Sequence, residues 1–156
     1  MKRLPFILGV LIFLPHCSVP TEEPVAKSAE PAPAPVADES RRFPMQDRVT
    51  VDIVADNLLG KDFLPGGNLA EYARDGQTYQ QFLIETQSGE TAALLMFDYK
   101  NALADAKYLP HMGGYFGSDG GQPVYVFAKE KWVAGIIGLP QEEADLVARE
   151  FAARLN

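Results

Sequence analysis

Few side chains in this sequence could perform chemistry, and their number argues against most kinds of catalytic or metal site. Cys17 is the only cysteine, and His16 and His111 are the only histidines. Beyond Cys17, a Cys/His metal cluster cannot be assembled, and a Cys–His pair or a Ser–His–Asp triad would depend on His111 alone. His111 follows Pro110 and precedes two glycines. We interpret it as a histidine at a junction between elements, and we predict no catalytic residue.

Neither the glycines nor the carboxylates form a recognisable ligand motif, so no cofactor and no metal site are predicted. Asp119 has no carboxylate neighbour in its loop, whereas a calcium site needs about six oxygen ligands. An acidic run at Glu142, Glu143 and Asp145 is typical of the first turn of a helix and not of an acid–base pair. The glycines fit neither GxGxxG nor a P-loop, which indicates turns; they are Gly113, Gly114, Gly117, Gly120 and Gly121.

Aromatic residues in the same region are the more promising candidates for recognition. Two helices packed on one face of a sheet would leave aromatic side chains on its other face. An exposed aromatic patch of this kind usually marks an interface. We therefore predict a ligand or partner face made of Tyr115, Phe116, Tyr125 and Phe127.

Charge excludes one large class of partner. The chain has a net charge of −7, and Lys2 and Arg3 are the only charged residues before Cys17. An acidic protein gains nothing from neutralising phosphates, so nucleic acid is not an expected partner. Attraction of the folded domain to anionic lipid is disfavoured for the same reason.

The first residues resemble a bacterial lipoprotein signal. Lys2-Arg3 is followed by an apolar run at 6–14, too short for the roughly 20 residues that span a bilayer, and then by Cys17. The resemblance implies cleavage before Cys17 and a diacylglycerol on its sulfur. Leu14 fits the lipobox, while Pro15 and His16 depart from its small residues. An ordinary secretory signal and an uncleaved anchor are the alternatives.

The domain organisation follows from composition. Residues 1–17 are the predicted signal peptide, and residues 18–45 are a Pro/Ala-rich tether with polyproline II character. Residues 46–156 form the predicted folded domain. The resemblance to a lipoprotein signal also implies a location, because residue 18 is Ser18 and not the aspartate associated with inner-membrane retention in such proteins. The expected location is the cell envelope, on the outer membrane facing the periplasm; a secreted or periplasmic protein is the alternative.

Apolar periodicity predicts an α+β domain. Two helices are indicated, at 88–106 and 140–155, with hairpins turning at Asp75-Gly76 and Glu130-Lys131. Ser88 is the expected cap of the first helix. Apolar residues at helical spacing form the predicted buried stripe of each helix: Ala92, Leu95, Met96, Tyr99, Ala102, Leu103 and Ala106 in the first, and Ala144, Val147, Ala148, Phe151 and Leu155 in the second. Residues 49–53 alternate like a short strand, although a helical turn ending at Gly60 is equally consistent. The expected order is β-β-α-β-β-β-α, an antiparallel sheet of about five strands with both helices on one face. Repetition of glycine pairs and Asp-Gly turns suggests a possible internal duplication. Residues 132–139, apolar on both faces, should be the central strand.

Four segments of the domain resemble uncharacterised bacterial exported lipoproteins with a domain of unknown function. They are PGGNLAEY at 65–72, TYQQFLIE at 78–85, GGYFGSDGG at 113–121 and GLPQEEAD at 138–145. The resemblance covers about residues 50–156 and implies an exported, soluble domain. It implies no functional residue.

Two functions remain open from the sequence. The first is a membrane-anchored envelope lipoprotein whose non-enzymatic domain binds an envelope protein, a cell-wall component or a second copy through its sheet face. The alternative is a small exported hydrolase that uses carboxylates or His111. A closed pocket around His111 or around paired carboxylates would favour the hydrolase.

Overall fold

The computed structural model describes residues 35–156, so Cys17, the predicted signal peptide and most of the predicted tether lie outside it. Contacts group the described residues into one compact unit. Within the described residues, no helix is long and apolar enough to cross a membrane. The domain is α+β, as predicted, and consists in chain order of β1 (Arg48–Asp56), β2 (Pro65–Arg74), β3 (Gln77–Glu85), α1 (Gly89–Ala102), β4 (Ala104–Leu109), β5 (Gly114–Asp119), β6 (Gln122–Lys129), β7 (Trp132–Ile137) and α2 (Gln141–Ala152).

All seven strands form one antiparallel sheet in the order β1-β2-β3-β7-β6-β5-β4. Strand β7 lies at its centre, and its side chains from Trp132 to Ile136 are buried. Gly135 is packed so closely that a Cβ there would overlap the ring of Phe82. The prediction of a central strand, based on apolar residues on both faces, is confirmed.

The two helices lie on opposite faces of the sheet, so the predicted placement on one face is wrong. On β6, Val124 and Val126 belong to the core cluster of α1. The alternate residues Tyr125 and Phe127 belong to the core cluster of α2. Successive side chains of a strand point to opposite faces. Both faces of β6 are apolar, and each helix covers one of them.

The sheet also has more strands than predicted. The segment that the sequence left between a strand and a helical turn contains both, because β1 ends at Asp56 and a short 3₁₀ turn, Leu58–Gly60, follows it. Strand β4 occupies residues predicted as the last turn of the first helix. Leu103 has ψ 134, which ends α1, and Asp105 has φ 53 within an irregular pairing of β4 with β5. Ala-rich residues favour a helix locally, but hydrogen bonding at the sheet edge prevails here.

Local signals elsewhere were reliable. The side chain of Ser88 caps α1 by accepting a hydrogen bond from the amide of Thr91. Asp75 and Gly76 have φ of 53 and 80, as a two-residue hairpin turn of type I′ requires. The buried stripe predicted for α2 is confirmed, with Ala144, Val147, Ala148 and Phe151 all in the core.

The helix positions argue against the suggested duplication. An antiparallel pair such as β3 and β7 is related by a two-fold axis perpendicular to the sheet. Two equivalent halves would then carry their helices on the same face. Because α1 and α2 cover opposite faces, the two halves do not fold alike.

The folded domain begins before residue 46, which is the boundary that we predicted from the sequence. Residues 36–45 form an N-terminal strap that packs on the α2 side of the sheet. The side chain of Asn68 bonds the strap twice, accepting from the amide of Glu39 and donating to the carbonyl of Ala37. Phe43 is fully buried, with its ring 5.0 Å from that of Phe151. The sequence did not predict these contacts, because the segment is rich in proline and alanine and its few contacts are with residues far away in the sequence.

Arg42 fixes the other end of the strap. Its guanidinium lies 4.4 Å above the Trp132 ring. The same group donates to Glu39 Oε2 at 2.7 Å and to the carbonyl of Arg154 at 3.0 Å. The strap is thereby bonded both to the central strand and to the end of α2.

We predict that Phe43→Ala lowers the free energy of unfolding by about 3–5 kcal/mol, the usual cost of truncating a buried phenylalanine. Met45→Ala, two residues away at a position that is 78% exposed, should change it by less than about 0.5 kcal/mol. Urea unfolding of purified variants measures both. Equal effects would mean that the strap is not part of the cooperative unit.

Candidate functional site

The four predicted aromatic residues do not form one exposed surface. Tyr125 and Phe127 are buried beneath α2. Tyr115 and Phe116 are only partly buried, and they pack on the α1 and α2 sides respectively. The expectation rested on a sheet with one uncovered face, and the placement of one helix on each face removes that premise. Cys17, the predicted lipidation site, lies outside the described residues.

A polar cluster around Asp145 was missed entirely. Asp145 lies in the second turn of α2 and accepts three interactions. His111 Nε2 lies 2.5 Å from Asp145 Oδ1, and the Tyr125 hydroxyl donates to the same oxygen at 2.7 Å. Arg149 Nη2 lies 2.7 Å from Oδ2. The cluster connects the β4–β5 turn, β6 and α2.

The electrostatics of the cluster favour a charged Asp145. Partial burial raises the pKa of the Asp145 carboxyl, but hydrogen bonds from His111 and Tyr125 and the Arg149 charge outweigh it, so the net shift is downward. The pKa of the Tyr125 hydroxyl is raised by burial and by its carboxylate partner. A neutral tyrosine therefore donates to an ionised aspartate.

This arrangement resembles the base-and-orienting-acid part of a hydrolase, but it lacks the other parts. A His–Asp dyad needs a nucleophile or activated water and a substrate cleft beside the free imidazole nitrogen. Of the side chains in the described part of the domain, none with a nucleophilic oxygen or sulfur other than Tyr125 hydrogen bonds within the cluster. His111 lines none of four well-formed cavities in that part of the chain. The dyad is best explained as a tie between the β4–β5 turn and α2.

Metal chemistry finds no support in the described residues either. No group of three or more His, Cys, Asp or Glu side chains among residues 35–156 is arranged to hold an ion.

The outer surface of α1 is the most unusual feature of the domain. Leu94 and Phe97 are 69% and 57% exposed, although they lie in the middle of a regular helix. Ala93, beside them, is exposed as well. On α2, by contrast, the only large exposed apolar side chain is Leu146. A surface helix usually presents charged and polar groups outward. We call Ala93, Leu94 and Phe97 the α1 patch.

A cavity of about 530 Å³ lies directly beside the α1 patch. Leu94 and Leu95 form part of its wall on the helix. The ends of β2 and β3 and the segment before α1 form the opposite wall. Its polar lining includes the carboxylates of Glu85 and Asp98. The site therefore combines an apolar helix surface with an adjacent groove that has an acidic rim.

The α1 patch had a signal in the sequence that we did not use. Leu94 and Phe97 fall outside the buried stripe predicted for this helix, and the stripe was correct at Ala92, Leu95 and Tyr99. Apolar residues on both sides of a helix indicate either complete burial or a second contact. His111 and Asp145 are 34 residues apart, and no local pattern could have paired them.

Comparison with known protein families, with curated proteins and with solved structures finds no match to this chain. The functional argument therefore depends on the residues themselves.

We predict that Asp145→Ala lowers the free energy of unfolding at pH 7 by about 1–3 kcal/mol, because the buried Tyr125 hydroxyl loses its acceptor. Since the pKa of Asp145 is lower in the folded protein, its ionised form stabilises the fold above the unfolded value of about 3.9. Part of the difference from wild type should disappear as the pH falls through the folded pKa. Denaturant unfolding between pH 7 and pH 3 measures it. Glu142→Ala, an exposed position in the same helix, is the control; equal losses in both variants would contradict the role of the cluster.

Proposed function

We propose that the chain is a lipid-anchored protein of the bacterial cell envelope whose domain binds another protein through the α1 patch and performs no catalysis. The anchor proposal rests on the basic, apolar and cysteine-terminated sequence before the tether. The outer membrane, facing the periplasm, is the proposed location. The binding proposal rests on one observation, the exposure of Leu94 and Phe97 on the outer surface of α1.

Energetic considerations favour a protein contact at this surface. Burying a leucine or phenylalanine side chain contributes about 1.5–3 kcal/mol. Burial of both exposed residues would supply much of the free energy of a weak, transient complex. No such gain is available while the helix faces water. Lys100, 5.5 Å from the Phe97 ring, adds a polar group at the rim without covering the patch.

A partner with positive charge is favoured over a second copy of the chain. The chain is acidic overall, so two copies repel each other at long range. Two carboxylates line the cavity beside the patch, and no lysine or arginine of the described part of the chain lines it. A basic and apolar surface on another envelope protein is complementary to both features.

The hydrolase alternative is supported by the His111–Asp145 dyad and by the two carboxylates, Glu85 and Asp98, that line the cavity beside the α1 patch. Of these two, Glu85 is already ion-paired with Lys131. We favour binding because the dyad already serves Tyr125 and Arg149 and adjoins none of the four cavities described above. The α1 patch, in contrast, adjoins a cavity.

Site-specific photocrosslinking tests the patch in intact cells. A crosslinking amino acid at Ala93 should yield a discrete adduct with a partner. Leu94→Gln combined with Phe97→Gln should reduce that adduct at least tenfold, because about 1.4 kcal/mol of lost binding corresponds to a factor of ten. Leu146→Gln, at a position on α2 that is also 69% exposed, is the matched control. An adduct that survives the double variant, or that disappears equally with Leu146→Gln, would rule the α1 patch out.

Replacement of Cys17 tests the anchor. Cys17→Ser should abolish incorporation of labelled fatty acid and move the domain from the membrane fraction to the soluble fraction, because the thiol is the proposed acceptor. Ser18→Ala, the neighbouring position, should leave both unchanged. Membrane fractionation that persists in Cys17→Ser would mean that the segment before the tether acts as an uncleaved anchor.

A further inference from the structure

Two cavities meet at the end of the sheet where β2 begins and β3 ends. The first is the cavity beside the α1 patch. The second, of about 350 Å³, lies on the other side of the same strand ends and is bounded by the N-terminal strap and the end of β1. Pro65, Glu85 and Gln87 line both cavities. The two spaces are therefore neighbours around one edge of the domain.

The charges that line these cavities all have one sign. Carboxylates come from Glu39, Asp56, Glu85 and Asp98, and among residues 35–156 no Lys, Arg or His lines either cavity. Two of the four are already neutralised, since Glu39 pairs with Arg42 and Glu85 pairs with Lys131.

Asp56 and Asp98, one in each cavity, have no ion pair among the described residues. Asp56 accepts one hydrogen bond, from the side-chain amide of Asn57 at 3.3 Å. Both carboxylates are exposed, so they are available to a cation from outside.

We propose that the two cavities form one groove, and that it binds an extended, cationic segment of the partner polypeptide. This inference rests on the proposed function and names the chemistry of the same partner. The apolar side chains of the segment contact Leu94 on the α1 side and Val36 on the strap side. Its lysine or arginine side chains reach Asp98 and Asp56.

The shape of the groove favours an extended chain over a helix. Its two halves lie on opposite sides of the strand ends and meet around Pro65. A straight helix about 10 Å wide would fill one half only. An extended segment can bend around the edge, and Thr86, Gln87 and Thr91 line the α1 side with groups that can bond its backbone.

The test uses the folded domain and a fluorescent peptide that combines lysine and leucine side chains. Its binding is measured by fluorescence anisotropy at low salt. Asp56→Asn together with Asp98→Asn should weaken binding about three- to thirtyfold, from two exposed ion pairs of about 0.3–1 kcal/mol each. Asp52→Asn together with Asp75→Asn changes the net charge equally at exposed positions that line neither cavity. That control should bind within about twofold of wild type.

Each outcome decides the proposal. Weaker binding in both single variants, Asp56→Asn and Asp98→Asn, supports one groove that spans the two cavities. Weaker binding in Asp98→Asn alone overturns it, because the segment then stays beside α1. If the control pair loses peptide binding equally, the peptide is attracted by the net charge of the domain only, and the proposal is also overturned. Equal binding of a matched peptide with glutamate in place of lysine excludes charge recognition.

Two further results separate this proposal from the proposed function. An adduct at Ala93 that depends on Leu94 and Phe97, while the peptide ignores Asp56 and Asp98, would leave the α1 patch standing and remove the groove. Peptide binding that depends on Asp56 and Asp98, without any adduct at Ala93, would support the groove and remove the α1 patch as the partner surface. Dimerisation of the domain in sedimentation experiments, lost in the Asp56 and Asp98 variants, would assign the groove to a second copy and overturn the cationic segment.

Discussion

A central strand that is apolar on both faces is the constraint on which the rest of this domain depends. Every residue of β7 from Trp132 to Ile136 is buried. Its neighbours are apolar on both faces as well, β6 from Val124 to Phe127 and β3 from Phe82 to Ile84. Such a sheet must be covered on both sides to remove its side chains from water. One helix therefore packs on each face, and neither helix can cover the face on which the other packs.

Two short helices cannot cover a sheet of seven strands, and the remaining cover comes from irregular segments. On the α2 side, the strap places Phe43 against Phe151. On the α1 side, the loop after β1 buries Leu58 and Leu64, and Phe63 packs edge-on against Tyr99. Strand β1 receives little of this cover, and Val49 and Ile53 stay at least half exposed. Bulges and carboxylates on the outer strands are devices that discourage further pairing at such edges.

The parts of this fold that local chemistry specifies were predictable, and the parts that depend on distant contacts were not. Asp75-Gly76 defines its turn and Ser88 caps its helix through neighbours in sequence. Strand β4 has no such signal, because its alanines favour helix and only pairing with β5 makes it a strand. The placement of the helices on opposite faces could in principle have been predicted from the sequence. Val124, Tyr125, Val126 and Phe127 leave no polar face on β6, which indicates cover on both sides.

The features of the candidate site also differ in whether local sequence or distant contacts specify them. The α1 patch could be inferred from apolar residues outside the predicted buried stripe, since both features come from one helix. The Asp145 cluster and the groove each bring together residues from three or more elements. Their existence depends on the sheet order, which the sequence did not reveal.

The proposed groove lies beside the residue at which the described part of the chain begins. Pro35, the first described residue, lines the cavity on the strap side. The chain therefore enters the domain beside the surface that we assign to a partner. Asn68 and Arg42 hold the strap at fixed points on β2 and the central strand. A segment bound against Val36 would contact the strap directly, so the partner and the tether that we propose would share one edge of the sheet. The Asp145 cluster lies on the α2 side and contributes no residue to this edge, which fits a role in stability and not in recognition.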